Sequence, residues 1–386
     1  MHSDPRPNGR SKLCYVVSSP RTAISFLNGH IDYLSDRLEI SVVCNFDGTE
    51  SKISAHAHLK NIRLKRSISP FADLFAVMKL TRFLRKGRFE IVHSVSPKAG
   101  LIAAISGCLA RTPIRVHWYT GQVWANHRGY QRALLKIADR VIGILSTMTL
   151  VDSFGQRDFL VDERILDGTK CKVLGHGSIA GVDVCRFRSN PELRLELRNE
   201  LNIQPVDSIV IIFLGRLTAD KGIDQLLRIF SSGNLATDPY LLLVGQDENG
   251  FVPRLRTMLG SSIKRIRYVP HTEHPEKYLA AADIFCLPSL REGFGLSVIE
   301  AGACGLPAVI SDIYGLRDSI IDGKTGYFFS TLNDSELTGK LNLLISNEEL
   351  RRHMGAMAEQ IVSQRFSAIS LQQELRSFYF GLKKQY

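Results

Sequence analysis

Two cationic side chains in the second half of the chain have a spacing that suits the binding of a diphosphate. In Gly215-Arg-Leu-Thr-Ala-Asp-Lys-Gly222, Arg216 and Lys221 stand five residues apart and directly follow an apolar run. At the end of a strand, these two charges can hold phosphate oxygens and stabilise a departing diphosphate without a metal ion. The alternative interpretation is an ordinary strand-to-helix loop with incidental basic residues.

A second motif, Glu292-Gly-Phe-Gly-Leu-Ser-Val-Ile-Glu300, combines a glycine-containing turn with two carboxylates. Such a turn lets backbone N–H groups approach an oxyanion, and the positive end of the following helix points to the same place. We expect Glu292, in the loop, to reach sugar hydroxyls, and Glu300, on the helix, to accept hydrogen bonds from a ribose diol. Solvated glutamates beside an ordinary turn are the alternative.

In the first half, His117 lies near the end of an apolar run, within Arg115-Val-His-Trp-Tyr-Thr-Gly-Gln-Val-Trp124. A strand end is where open α/β sheets bind their ligands, which makes His117 a candidate catalytic residue. A lone histidine is otherwise more often a structural residue with satisfied hydrogen bonds.

The elements that must position these residues are short apolar runs alternating with helical stretches. The predicted strands are 13–17, 40–44, 91–95, 114–119 and 140–146, followed by 209–214, 240–244, 266–269, 284–287 and 308–311. This alternation predicts an α/β protein with two Rossmann-like domains that face each other across a ligand cleft. The expected domains are 1–186 and 187–368, followed by a terminal helix, 369–386. The sequence leaves open where this helix packs, including whether it returns to the first domain.

Composition and charge narrow the class of protein. A chain of 386 residues suits two domains, and 44% apolar and 23% charged residues are typical of a globular protein. Residues 1–186 hold 27 Lys and Arg against 15 Asp and Glu, a charge of +12, while the remainder holds 22 against 23, a charge of −1. This asymmetry indicates an anionic partner for the first half: a membrane surface, a phosphorylated acceptor or a nucleic acid. A surface that merely uses more Lys and Arg is the alternative.

Targeting and redox signals are sparse. The first ten residues lack the apolar core of a secretory signal, and no apolar run is long enough to span a bilayer, so we expect a cytoplasmic protein. Seven scattered cysteines without a C-x-x-C pair predict reduced thiols rather than disulfides or a zinc site.

The two motifs of the second half, in this order, resemble the family 4 retaining glycosyltransferases of the GT-B fold. The resemblance covers most of the C-terminal half. It implies that Arg216 and Lys221 bind the donor's phosphates, that Glu292 contacts the transferred sugar, and that Glu300 binds the ribose.

The same resemblance extends these roles to neighbouring residues. It implies that Gly295 and Leu296 contact the diphosphate, that Gly293 and Phe294 join Glu292 at the sugar, that backbone at Pro270 and His271 lies near the base, and that His117 lies close to the donor sugar. It also implies reaction without a metal, with which the lack of an Asp-x-Asp motif in a strand-end loop agrees. No cofactor is expected, because the nucleotide sugar, UDP-linked by this resemblance, is a co-substrate.

Four stretches of the first half resemble a narrower group: 96–100, 120–125, 150–153 with Gln156 and Phe159, and 175–183. That group includes the bacterial transferase that adds N-acetylgalactosamine to diacetylbacillosamine on undecaprenyl diphosphate, and related O-antigen and capsule transferases. It implies a polyprenyl-diphosphate-linked acceptor, for which Lys98, Arg128 and Arg132 are candidate contacts. Ser18-Ser-Pro-Arg-Thr-Ala replaces the family's glycine-rich loop, so the acceptor side differs in detail.

The run 61–90 mixes basic with apolar residues. Its basic residues are Arg63, Lys65, Arg66, Lys79, Arg82, Arg85, Lys86 and Arg88. A helix with one apolar face and basic residues at its end suits an anionic inner-membrane surface. The alternative is that the apolar face packs on the protein's own sheet. Arg128, Arg132 and Lys136 form a second basic row, either for a lipid diphosphate or as a solvated face.

The leading hypothesis is a retaining transferase, peripheral on the cytoplasmic face of the inner membrane. It would move a hexose or N-acetylhexosamine from a UDP-sugar to an undecaprenyl-diphosphate-linked saccharide in surface glycan biosynthesis. The alternatives within enzymes are a GT-B-fold sugar-nucleotide epimerase and a GDP-sugar-dependent transferase. A nucleic-acid partner is not expected, because no nucleic-acid-binding motif is present and the aromatic residues among the basic ones follow core-like helical spacing.

Overall fold

A computed structural model describes residues 10–64, 69–255, 257 and 260–384. Residues 1–9, which belong to the segment that lacks the pattern of a secretory signal, lie outside this description, as do Lys65 and Arg66 of the basic run. The chain divides into two compact units, Met1–Ala180 with Ala368–Tyr386, and Gly181–Ser367. The sequence pattern divides the chain after residues 186 and 368.

The first unit contains a seven-stranded parallel sheet in the order β3-β2-β1-β4-β5-β6-β7. The strands are β1 (Ser11–Val16), β2 (Leu38–Cys44), β3 (Ala57–Asn61), β4 (Ile91–Val95), β5 (Ile114–Tyr119), β6 (Met148–Val151) and β7 (Cys171–Val173). The central strands are buried on both faces, which is why they read as continuous apolar runs.

Among the residues that the structure describes, six helices connect these strands. They are α1 (Pro20–Phe26), α2 (Asn28–Leu34), α3 (Pro70–Gly87), α4 (Pro97–Ala110), α5 (Gly129–Leu145) and α6 (Phe154–Asp162). Helix α4 packs between α3 and α5.

The predicted strand 140–146 is wrong, because residues 140–145 form the last turns of α5, which ends at the C-cap Ser146. Ile142 is fully buried, whereas Ile144 is two-thirds exposed, so the run has one apolar face rather than two. A short apolar run cannot be assigned to strand or helix by composition alone. The strand that continues the sheet is β6, which starts at Met148.

The second unit contains a six-stranded parallel sheet in the order β10-β9-β8-β11-β12-β13. Its strands are β8 (Val210–Leu214), β9 (Tyr240–Val244), β10 (Ile266–Val269), β11 (Ile284–Leu287), β12 (Ala308–Ser311) and β13 (Gly326–Phe329). Its helices within the described residues are α7 (Pro191–Glu200), α8 (Ile223–Ser232), α9 (Pro275–Ala280), α10 (Leu296–Ala303), α11 (Asp334–Ser346) and α12 (Glu348–Arg365). The prediction of an α/β fold with two Rossmann-like domains is confirmed.

The terminal helix α13 (Ala368–Lys383) belongs to the first unit, not the second. Its Leu371, Leu375 and Phe378 are buried in the same apolar cluster as β1 and β2. The phenol of Tyr379 lies 3.0 Å from the phenol of Tyr15 and also contacts Nδ1 of His93. The chain end therefore completes the core of the first unit.

Within the described part of the chain, no helix combines the length and apolar character needed to cross a membrane.

Candidate active site

The loop between β8 and α8 carries the two cations predicted to bind a diphosphate. Lys221 donates a hydrogen bond from Nζ to Oε1 of Glu292 over 2.5 Å, and both side chains are largely buried. Arg216 is half exposed and donates from Nη1 to Oε2 of Glu248 over 2.7 Å. The structure thus joins the two predicted motifs through Lys221 and Glu292, and brings in an unpredicted carboxylate, Glu248.

Gly222 closes this loop in a conformation that suits glycine. Its φ is +73°, and a Cβ atom at this position would lie 1.9 Å from the carbonyl oxygen of Pro288. The carbonyl oxygen of Asp220 accepts from Leu290 N at 2.8 Å and from Ser289 Oγ at 3.2 Å. The loop after β8 is therefore bonded directly to the segment after β11, and this fixes where Lys221 points.

The glycine turn of the second motif ends at the first residue of α10. Gly295, with φ +80°, precedes Leu296, and no side chain caps the first turn of the helix. A helix start with uncapped N–H groups attracts negative charge, and the diphosphate contacts at Gly295 and Leu296 stay a prediction. The close approach of Gly315, whose Cβ would lie 2.1 Å from the carbonyl oxygen of Glu292, holds this turn in place.

Phe294 is placed differently from Gly293 and Glu292, its neighbours in the predicted sugar site. Its ring is buried and packs edge-on against Phe366, with 5.2 Å between the ring centroids. Only the backbone of Phe294 is available to a ligand, because its side chain belongs to the core.

Glu300 lies one turn into α10 and is partly buried. Burial raises the pKa of its carboxyl to about 7, a shift that the positive charge of Arg186 opposes and the negative charge of Glu276 assists. Arg186 itself is bound by Glu276 over 2.7 Å. Near pH 7 the Glu300 carboxyl is divided between a form that accepts and a form that also donates hydrogen bonds.

Pro270 and His271, the candidate base contacts, follow the edge strand β10 and are exposed. They lie at the carboxyl edge of the sheet, as do the loops after β8 and β11.

His117 lies inside the first unit. It is 1% exposed, its Nδ1 lies 2.9 Å from the hydroxyl of Ser94, and its ring packs edge-on against Tyr119 at 4.4 Å. Burial lowers its pKa to about 3, so the ring is neutral at pH 7. Gly100 leaves room for it, since a Cβ there would lie 2.4 Å from the imidazole Cε1.

The candidate acceptor contacts are tied to the surrounding helices to different degrees. Lys98 forms an ion pair with Asp73 of α3. Arg132 and Lys136 bind the two oxygens of Glu163 over 2.7 and 2.5 Å. Arg128, at the start of α5, is exposed. Two members of the second basic row are thus held in an ionic network rather than fully solvated.

Trp124 is a positioning residue that the sequence did not single out. Its indole N–H donates to Oδ2 of Asp139 over 2.7 Å, its ring stacks on Phe159, and both Arg132 and Lys136 lie over the ring. The loop after β5 is therefore anchored to α5 and α6. A tryptophan beside a run of basic residues is the only signal that the sequence offers for this contact.

Potential metal ligands do not gather at any point of the described residues: no three His, Cys, Asp or Glu side chains form a group that could hold an ion.

Comparison with known proteins finds a matching family model and several relatives. Residues 195–361 match the model of the family "Glycosyl transferases group 1". The chain is 27% identical to the capsular polysaccharide biosynthesis glycosyltransferase CapM of Staphylococcus aureus, over 97% of this chain and 98% of that protein. It is 23% identical to the UDP-Gal:alpha-D-GlcNAc-diphosphoundecaprenol alpha-1,3-galactosyltransferase of Escherichia coli, over 83% of this chain and 82% of that protein.

A third relative is the N,N'-diacetylbacillosaminyl-diphospho-undecaprenol alpha-1,3-N-acetylgalactosaminyltransferase of Campylobacter jejuni. It is 24% identical over 78% of this chain and 82% of that protein. Among solved structures, Anabaena Alr3699/HepE in complex with UDP-glucose matches with a TM-score of 0.80 at 20% identity, covering 96% of this chain and 99% of that chain. Sucrose-phosphate synthase from Thermosynechococcus elongatus matches with a TM-score of 0.80 at 17% identity, covering 98% of this chain and all of that chain.

The two parallel-sheet units agree with the fold of these structures, and the motif-bearing unit coincides with the family model. Residues 195–361 therefore carry a group 1 glycosyltransferase domain, the chain has the GT-B fold, and over most of its length it is similar to capsule and O-antigen transferases.

Proposed function

We propose that this enzyme is a retaining glycosyltransferase that moves a hexose or N-acetylhexosamine from a UDP-sugar to an undecaprenyl-diphosphate-linked saccharide in surface glycan biosynthesis. The observation that carries the proposal is the contact of Lys221 with Glu292 beside the uncapped start of α10. In a nucleotide sugar the transferred sugar is bonded to the outer phosphate. A phosphate-binding cation and a sugar-binding carboxylate must therefore lie next to each other.

The donor phosphates are proposed to lie between Arg216, Lys221 and the N–H groups at Gly295 and Leu296. As the bond to the sugar breaks, negative charge grows on the outer phosphate. Fixed cations and helix-terminal N–H groups stabilise that charge most when they are already in place. The hydrogen bonds that Asp220 accepts from Leu290 and Ser289 hold these groups in place before any ligand binds.

UDP is proposed as the nucleotide because the relatives and structures that name one name UDP. The Escherichia coli relative is a UDP-Gal transferase, and the Anabaena protein was crystallised with UDP and UDP-glucose. Glu300 is proposed to bind the ribose diol, and backbone at Pro270 and His271 the base.

The acceptor is proposed to be polyprenyl-diphosphate-linked, since two relatives that span most of this chain act on diphosphoundecaprenol saccharides by name. Arg128 is the foremost candidate for the acceptor diphosphate because it is exposed, whereas Lys98 and Arg132 already bind carboxylates. The role of His117 at the donor sugar stays a prediction, because its imidazole is buried, neutral at pH 7 and in contact with the hydroxyl of Ser94.

The first unit is proposed to contact the anionic inner membrane, on its cytoplasmic face, through α3 and α5. Both helices leave large apolar side chains exposed, although each also has buried residues. These exposed residues are Phe71, Leu74, Phe75 and Met78 on α3, and Tyr130, Leu134, Ile137 and Ile144 on α5. With Arg82, Arg85 and Lys86 on the same helix, α3 combines apolar and cationic groups, which is what binding at an anionic lipid surface requires.

The experiment is a transfer assay with purified protein, a panel of UDP- and GDP-sugars and a synthetic polyprenyl-diphosphate disaccharide. We expect product only with a UDP-sugar, and NMR of the new linkage to show the anomeric configuration of the donor. UDP release that depends on acceptor supports transfer, whereas acceptor-independent conversion of the donor would indicate an epimerase. No product and no donor consumption from folded protein would refute the proposal.

A further inference from the structure

Each cation proposed to hold the donor diphosphate is already paired with a carboxylate. Lys221 is bound by Glu292, which belongs to the proposed sugar site. Arg216 is bound by Glu248, which belongs to neither motif and follows β9. Glu248 is therefore not one of the proposed donor contacts, although it binds one of the cations among them.

The backbone fixes Glu248 beside Arg216. Leu217 N donates to the carbonyl oxygen of Gln246 at 2.8 Å, and Glu248 N donates to the carbonyl oxygen of Leu217 at 3.3 Å. The loops after β8 and β9 thus run side by side as a short parallel bridge. The backbone position of Glu248 beside Arg216 is therefore a property of the fold.

Asp247 holds the turn that presents Glu248. Its carboxylate accepts hydrogen bonds from the N–H groups of Asn249, Phe251 and Val252 over 2.9 to 3.3 Å. Burial acts to raise the pKa of Asp247, but these N–H groups outweigh it and hold the pKa below its usual value. The turn is therefore held by an ionised carboxylate at neutral pH.

We infer that Glu248 limits the affinity of the diphosphate site by neutralising Arg216 until a nucleoside diphosphate displaces it. This inference rests on the proposed function, because it takes Arg216 as a phosphate ligand. Binding then replaces the ion pair of Arg216 with Glu248 by an ion pair of Arg216 with phosphate. The binding free energy therefore gains only the difference between these two interactions. Arg216 is 50% and Glu248 37% exposed, so their pair is weak and two adjacent phosphates displace it. A singly charged anion gains little from the same exchange.

The test is UDP binding measured by calorimetry for the wild type, Glu248→Gln, Arg216→Ala and the double variant. We expect Glu248→Gln to bind UDP about two- to fivefold more tightly, the range for an exposed ion pair. Arg216→Ala is expected to bind about tenfold or more weakly. The double variant is expected to match Arg216→Ala, because Glu248 acts through Arg216.

Asp238→Asn is the matched control. It removes one negative charge from an ion pair with Arg265. Asp238 precedes β9, whereas Glu248 follows it, so the two residues lie at opposite edges of the same sheet. We expect it to leave UDP affinity unchanged, which separates a local effect from a change in net charge. The gain in Glu248→Gln is expected to shrink at high salt, where exposed charges are screened.

The outcomes distinguish the inference from the proposed function. If Arg216→Ala weakens UDP binding and Glu248→Gln does not tighten it, the inference is overturned and the donor site stands. If Arg216→Ala binds UDP as the wild type does, the donor site is wrong and the inference falls with it. Thermal unfolding of every variant shows that each comparison is made on folded protein.

Discussion

The ammonium group of Lys221 and the carboxylate of Glu292 lie 2.5 Å apart although 71 positions separate them in the chain. Their strands, β8 and β11, are hydrogen-bonded neighbours in a parallel sheet, so the loops that follow them emerge at the same edge. This pair joins the proposed phosphate site to the proposed sugar site, and it gives the two residues separable roles.

Glu292→Gln is expected to bind UDP at least as tightly as the wild type, because it frees Lys221 from its ion pair. It is expected to lower kcat by about a hundredfold or more, because the carboxylate serves the transferred sugar. Lys221→Met is expected to weaken both UDP binding and turnover. Calorimetry with UDP and steady-state transfer rates measure the two effects. Full transfer activity in Glu292→Gln would contradict the sugar-facing role.

Gly222→Ala is expected to destabilise the protein by about 2–4 kcal/mol, since the new Cβ would lie 1.9 Å from the carbonyl oxygen of Pro288 at a φ of +73°. Gly233→Ala is the matched control: its φ is +71°, but no atom lies within 4 Å of the added Cβ. The control is expected to cost about 1 kcal/mol, from backbone strain alone. Equal losses in urea unfolding would show that the loop contact with Pro288 is not tight.

Much of the second unit could be predicted because its signals are local. The strand ends before Gly215 and Pro288 and the glycine turn at Gly295 follow from apolar runs and turn residues within a few positions of each other. The three-residue strand β7 is too short for such a pattern, and the edge strands β3 and β13, which were also not predicted, are only partly buried.

Contacts between distant segments could not be predicted in this way. No spacing in the sequence indicates that Glu248 meets Arg216 or that Glu163 meets Arg132, because both pairings depend on which strands and helices become neighbours. The basic row at Arg132 and Lys136 was recognised, but the carboxylate that binds it comes from the end of α6. Ion-pair partners are therefore the part of the site that sequence patterns leave out.

Replacing exposed apolar residues of α3 is expected to release the protein from membranes. Phe71 and Phe75 are 82% and 59% exposed, so Phe71→Ser with Phe75→Ser removes apolar surface without opening the core. We expect at least a tenfold loss of binding to vesicles that contain 30% phosphatidylglycerol, measured by co-sedimentation. The control is Leu195→Ser with Leu332→Ser, two exposed residues of the second unit. Equal binding by both double variants would exclude α3 as the membrane contact.

The raised pKa of Glu300 makes a prediction about stability and pH. Its folded pKa is about 7, against an unfolded value near 4.5, so the folded protein binds more protons than the unfolded chain between these values. The contribution of Glu300 is favourable below about pH 4.5 and is lost as the pH rises through 7. Glu300→Gln removes this dependence.

The free energy of unfolding of the wild type, relative to that of Glu300→Gln, is therefore expected to fall between pH 5 and pH 7.5. Urea unfolding of both proteins over this range measures the difference. The comparison isolates Glu300 from Asp139 and Asp152, whose pKa values burial raises to about 6 and about 8 in both proteins. A constant difference across the range would mean that the Glu300 carboxyl ionises at its ordinary pKa and is solvated. A ribose diol would then have to compete with water for this carboxyl.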